Sequence, residues 1–163
     1  MDEDEWTAYH EAGHAVVGFL LGGQIESVGM YAEADDVLPE RFGDCRVNWG
    51  RVRVDCDWQA QREILTILAG PVAEMIYREE PLHPATYGPW QHDWHWAWQR
   101  AARLFAAAEQ RMVFLGAAMQ SLKDHFADDW CWAAVGAVSD ELLAHEYLEA
   151  DQLIDTLSFW VRR

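Results

Sequence analysis

Two histidines and a glutamate near the start of the chain have the types and the spacing for metal-assisted hydrolysis. His10-Glu11-Ala12-Gly13-His14 reads H-E-x-x-H, and residues four apart on a helix project from one face a turn apart, so the two imidazoles converge on a single ion. Glu11 lies one residue on, about 100° around the axis, where its carboxylate reaches a metal-bound water without ligating the metal. Zinc lowers the pKa of such a water to about 7, and a carboxylate base then helps deliver it to a polarised carbonyl. A shuffle of this composition would contain the pattern in roughly 2 or 3 cases per hundred, so the setting of the motif matters more than its letters. The plain alternative is two surface histidines on a helix beside an ordinary glutamate. Gly13 argues against it: a glycine in a helix interior costs about 0.5–1 kcal/mol relative to alanine, so it has a packing reason, such as close approach of another backbone beside the metal.

The motif sits in a strong helix. From about Asp4 to Leu21 the positions Trp6, Tyr9, Gly13, Val16, Val17 and Leu20 recur at helical spacing, with acids in the first turn and Gly22-Gly23 as a stop. Ile25 to Tyr31 and Arg46 to Val54 alternate or are β-branched, with Asp35-Asp36, Pro39 and Gly43 between them, and read as a small antiparallel sheet. A second helix runs from about Trp58 to Tyr77, with a break or kink expected at Gly70-Pro71 because proline lacks an amide donor and clashes one turn back. Glu79 to Pro89 is a loop. Helix returns at about Gln91 with Ala97, Ala101, Leu104 or Phe105, Ala108 and Met112 on one stripe, continuing toward His125. Two more helices follow near Asp129 to Ala144 and Asp151 to Trp160. The predicted fold class is mainly α (α+β), a helical domain with a short antiparallel sheet, spanning residues 1–163 as one domain.

A catalytic zinc takes three protein ligands and leaves a fourth position open, so His10 and His14 need a partner. Asp93, His92, His95 and Glu74 are the candidates, and spacing separates them only partly. Asp93 continues the stripe of Ala97 and Ala101 and so points inward; its ordinary role would be an acid on the positive end of a helix dipole, which ligation does not exclude. Glu74 is either an acid that orients a ligand histidine through the other ring nitrogen or an exposed helix glutamate. Trp90, Trp94, Trp96 and Trp98 crowd this segment as core, as an oligomer interface or as walls of a peptide cleft. His83, His125 and His145 have no partner at ligand spacing.

Composition narrows the classes. A chain of 163 residues that is 51% hydrophobic can bury one substantial core. No apolar run approaches the roughly 18 residues of a membrane span, and Met-Asp-Glu-Asp-Glu is not a leader, so an unanchored cytoplasmic protein is expected. Cys45, Cys56 and Cys131 are odd in number and far apart, which disfavours disulfides and a thiolate zinc site. A net charge of −16 repels phosphate backbones, so nucleic acid is excluded as a partner, although an acidic surface also serves solubility.

Beyond the motif itself, Ala8 to Val17 resembles the zinc helix of FtsH-type ATP-dependent metallopeptidases, and Leu68-Ala69-Gly70-Pro71-Val72-Ala73-Glu74 resembles their following helix. Asp93, opening a helix with Ala97 and Arg103 further on, is similar to the family's third-ligand segment, and Leu142 to Leu157 to its closing helix pair. His92 stands where the family usually has Asn and Pro71 where it usually has Arg, which bears on pocket shape and leaves the ligands intact. The chain carries no ATPase module, phosphate-binding loop or membrane segment, so it resembles the peptidase part alone. Residues and resemblance together predict a zinc-dependent, ATP-independent endopeptidase in which His10, His14 and Asp93 hold Zn2+ and Glu11 is general base and proton shuttle. An edge strand between Arg46 and Val54 would bind a peptide or an unfolded protein by strand addition. A homo-oligomer, or a separate ATPase docking on the chain, fits the same reading. The alternative is a non-catalytic, metal-containing binding or regulatory module that retains the fold; an intact Glu11 argues against it.

Overall fold

A computed structural model of the chain describes residues 2–31, 44–53 and 56–161. Helix α1 spans Glu3–Leu20 and begins with a capping box: the Asp2 carboxylate accepts the Asp4 amide at 3.1 Å, and the Glu5 side chain reaches back to the Asp2 amide. Glu3, Asp4 and Glu5 place negative charge at the positive end of the helix dipole. Gly22, at φ +93°, turns the chain out of the helix.

Strand β1, Gln24–Gly29, pairs antiparallel with β2, Asp44–Asn48, bringing Ile25 opposite Val47 and Val28 opposite Cys45. The strand expected over Arg46 to Val54 is therefore shorter and begins earlier. Gly50, at φ +74°, turns the chain away just past Trp49, and Val52 lies outside the sheet. The turn residues Asp35, Asp36, Pro39 and Gly43, and Val54 itself, fall outside the described residues. A third strand that the sequence reading did not include, β3 at Tyr147–Glu149, pairs antiparallel with the other side of β1. Among the described residues the order β2-β1-β3 puts β2 at an edge.

Helix α2, Asp57–Arg78, passes through Gly70 and Pro71 without the expected break. A proline inside a helix costs about 3 kcal/mol, and burial outweighs it here: Leu68, Ala69, Gly70, Pro71, Val72 and Ala73 are all buried, with α1 as the most extensive neighbour. The helix ends at Glu79 in the left-handed conformation, φ 55°. A 3-10 turn, Gly88–Trp90, leads into α3, Gln91–Ala101.

The single helix expected from Gln91 toward His125 is two. After α3 the chain turns and restarts as α4, Ala108–Phe126. No proline or glycine occupies residues 102–107, so local propensity does not make this break; tertiary contacts do. Both helices pack on α2, with Ala97 and Ala101 of α3 and Leu115 and Met119 of α4 buried, and the Arg111 guanidinium takes up the Phe105 and Ala106 carbonyls at 2.7 and 2.9 Å. Ala108 and Met112, read as part of the buried stripe, are exposed. Helices α5, Asp129–His145, and α6, Ala150–Trp160, close the fold, with α5 against α1. The architecture is mainly helical around one continuous core, with a small antiparallel sheet. The three cysteines are free, and no described helix is long and apolar enough to cross a membrane.

Candidate metal centre

The α1–α2 contact sets the geometry of the histidine pair. A Cβ on Gly13 would stand 2.5 Å from the Ala69 carbonyl oxygen and 2.7 Å from the Ala73 Cβ, so the missing side chain lets the two backbones meet beside the motif. His10 and Glu11 are buried and His14 nearly so. One ligand atom from each of His10, Glu11 and His14 lies within 4.8 Å of the other two.

Asp93 joins them from the first turn of α3, 83 residues from His10 in sequence. Its Oδ2 lies 2.9 Å from His10 Nε2 and 3.4 Å from His14 Nε2. Four donors held at 2.0–2.1 Å around a tetrahedral ion stand about 3.3 Å apart, so both separations fit donors that share one metal. Asp93 is thus the carboxylate in contact with both imidazoles, and Glu11 stands beside the triangle.

The far side of each ring is also engaged. His14 Nδ1 is 2.8 Å from the Thr66 carbonyl oxygen, and His10 Nδ1 is 3.2 Å from Glu74 Oε1. With Nδ1–H donating to these acceptors, each Nε2 is the nitrogen left to ligate an ion; without one, His10 Nε2–H donates to Asp93. Glu74 Oε2 in turn accepts from Arg78 Nη1 at 2.8 Å. Between these supports lies Gly70, where a Cβ would come within 2.3 Å of His14 Nε2 and 2.8 Å of His10 Nε2. Only a glycine leaves that space open. Thr66, Gly70, Glu74 and Arg78 recur every four residues, so one face of α2 backs the whole cluster.

Burial and charge oppose each other at every member. Burial pulls the His10 imidazolium toward deprotonation, but hydrogen bonds to Asp93 and Glu74 and the charges of Asp93 and Glu11 overcome it and hold its pKa up at about 10. The same contest raises His14, chiefly through Asp93. Burial also pushes Asp93 up, and the two imidazoles overcome it to hold the carboxyl well below the usual carboxylate range. For Glu11 burial wins over His14 and His10, leaving its pKa raised to about 7. The donors are therefore paired with protons, which a cation would have to displace to bind here.

A cleft of about 490 Å3 opens from Glu11, His14 and Asp93. Val47 of edge strand β2 lines one side, Trp96 and Arg100 of α3 another, and Ile67 of α2 lies between; Arg100 is ion-paired with Glu63. Of the four tryptophans, Trp90 and Trp94 belong to the core, Trp98 packs partly against it, and Trp96 faces the cleft. His92 is exposed on the cleft wall with its ring 6.0 Å from that of Trp96, and His95 is exposed. His83 packs edge-on against Trp94 and His145 lies 3.4 Å from Glu141.

The sequence reading missed Thr66, Gly70 and Arg78. Gly70 carried the same signal as Gly13, a glycine inside a helix, although Gly116 of α4 carries it too and faces open space. The Thr66 contribution is a backbone carbonyl, which no residue type announces. No protein-family model matches the chain, and no curated protein matches it.

Proposed function

We propose that this chain is a zinc-dependent endopeptidase that hydrolyses peptides or already unfolded segments without ATP. One observation carries the reading: the Asp93 carboxylate meets both imidazole Nε2 atoms at ligand-to-ligand distance, in a buried cradle kept open by Gly70, with Glu11 alongside at the head of a cleft. Two imidazole nitrogens and one carboxylate oxygen are the donor types of catalytic zinc sites. His10, His14 and Asp93 would hold the ion. When bound, zinc supplies a Lewis acid that polarises water and a substrate carbonyl.

The protein's own residues supply the rest. Glu11 accepts the proton of the attacking water and passes it to the leaving amine. Its raised pKa, about 7, describes the metal-free pocket; a nearby cation favours the carboxylate, the form a base needs. Glu74 and the Thr66 carbonyl hold the rings in register. Among the described residues β2 is an edge strand beside the cleft, which suits an extended peptide added as a further strand. The resemblance of Ala8 to Val17 and Leu68 to Glu74 to the FtsH-type zinc helix and its successor supports the same chemistry, as the peptidase part without its motor.

Glu11→Gln tests the proposal. Glutamine is nearly isosteric but is no base, so the variant should keep its zinc and its melting temperature and lose hydrolysis of an unfolded-peptide library. Wild-type protein that binds zinc and cleaves no member of the library would instead identify a metal-containing binding module.

A further inference from the structure

Arg78 is a buried cation that touches α1 and the segment leading into α3. Its side chain is only 6% exposed. Nη1 donates to Glu74 Oε2 and to the Tyr87 hydroxyl, each at 2.8 Å, and Nη2 lies 3.0 Å from Glu80. The guanidinium carbon stands 3.8 Å from the centroid of the Trp6 ring. Trp6 is one helical turn before His10 on α1. Tyr87 packs edge-on against the fully buried Trp90 at 4.6 Å, and Trp90 lies three residues before Asp93.

We propose that Arg78 is a positioning residue of the metal centre, holding Glu74 against His10 on one side and anchoring the run-up to Asp93 on the other. The inference rests on the reading that His10, His14 and Asp93 bind a metal. Two features set Arg78 apart from an ordinary ion pair that closes a loop. Its partner Glu74 spends its other oxygen on a ligand histidine, so any movement of the guanidinium is passed to the imidazole. Its planar fork spans acceptors from α2 and from the following segment at once, which a single ammonium cannot reproduce. Losing one partner of a buried charge pair leaves the other uncompensated, so without Arg78 the Glu74 carboxylate would turn to new partners and release the ring.

The test uses the full chain, stripped of metal and titrated with zinc against a chromophoric chelator and with cobalt(II), whose visible bands report ligand geometry. Arg78→Met is expected to weaken zinc binding by about 10–100-fold, the range for losing a group that orients a ligand, and to alter the cobalt bands. Arg78→Lys keeps the charge without the fork and should lose about 3–10-fold. A purely structural role would lower the melting temperature and leave both metal readings unchanged. Folded Arg78→Met protein with zinc affinity within about threefold of wild type and the same cobalt spectrum overturns the inference. Should Arg78→Met not fold, Arg78→Lys decides by the same two readings. Wild-type protein that binds neither metal overturns this inference together with the reading beneath it.

Discussion

Replacing Gly70 with alanine should separate metal binding from folding, against the usual expectation for such a change. In an ordinary helix interior, alanine is about 1 kcal/mol better than glycine. Here the new Cβ would meet His14 Nε2 at 2.3 Å and His10 Nε2 at 2.8 Å. To regain ordinary contact His14 must retreat by about 1 Å, several times the ±0.2 Å that a zinc–nitrogen bond tolerates. At least one ligand is then lost, and the affinity should fall by more than the ~100-fold upper range for losing a supporting group, or about 2.7 kcal/mol. The metal-free protein fares better. His14 is the end of a side chain and can swing away, giving up its 2.8 Å contact with the Thr66 carbonyl, a loss of about 1 kcal/mol that the helix gain offsets. Thermal melts with and without zinc provide the assay. Zinc at 100 times its wild-type Kd stabilises wild type by about 2.7 kcal/mol, and the variant at the same concentration by less than about 0.4 kcal/mol. Gly13→Ala is the contrast, because its Cβ strikes the Ala69 carbonyl and Ala73 rather than the imidazoles; it should lower the melting temperature of the metal-free protein. Folded Gly70→Ala protein that binds zinc within tenfold of wild type would show that the ion does not sit between the two Nε2 atoms.

Two further perturbations follow from the geometry. Asp93→Ala should weaken zinc binding far more than Glu74→Ala, whose loss is expected to stay within about 10–100-fold; the reverse order in a chelator competition would make Glu74 the ligand. Glu79→Gly should stabilise the fold by about 0.5–1 kcal/mol, since left-handed backbone at φ 55° costs an L-residue about 1–2 kcal/mol and glycine returns part of that through its freer unfolded chain. Urea denaturation measures it, and a lowered midpoint would count against the capping argument.

How much of this was legible in the sequence depended on the range of the cause. Helix α1 and the histidine pair follow from local periodicity and spacing, whereas for Asp93 the phase with Ala97 and Ala101 gave only an inward direction and left Glu74, His92 and His95 as alternatives. The end of α3 was illegible because residues 102–107 hold no helix breaker, and the chain turns there so that α3 and α4 can both lie on α2. Pro71 did not break α2, its local cost being outweighed by burial. β3 was too short to show any alternation. At the site, side-chain donors could be read from residue types, whereas the Thr66 carbonyl and the space above Gly70 exist only once α1 and α2 have docked.

That docking gives α2 an unusual kind of constraint. Thr66, Gly70, Glu74 and Arg78 act through their common phase, and only two of them contribute a charged group. The opposite face of α2 is held by a different demand, since Leu68 and Val72 are fully buried in the core. A single residue inserted or deleted between Thr66 and Arg78 would rotate one end of the set against the other by about 100°. The carbonyl and the gap would then serve one histidine while the glutamate abandoned the other. Among descendants of this sequence, the length of this stretch should therefore stay fixed.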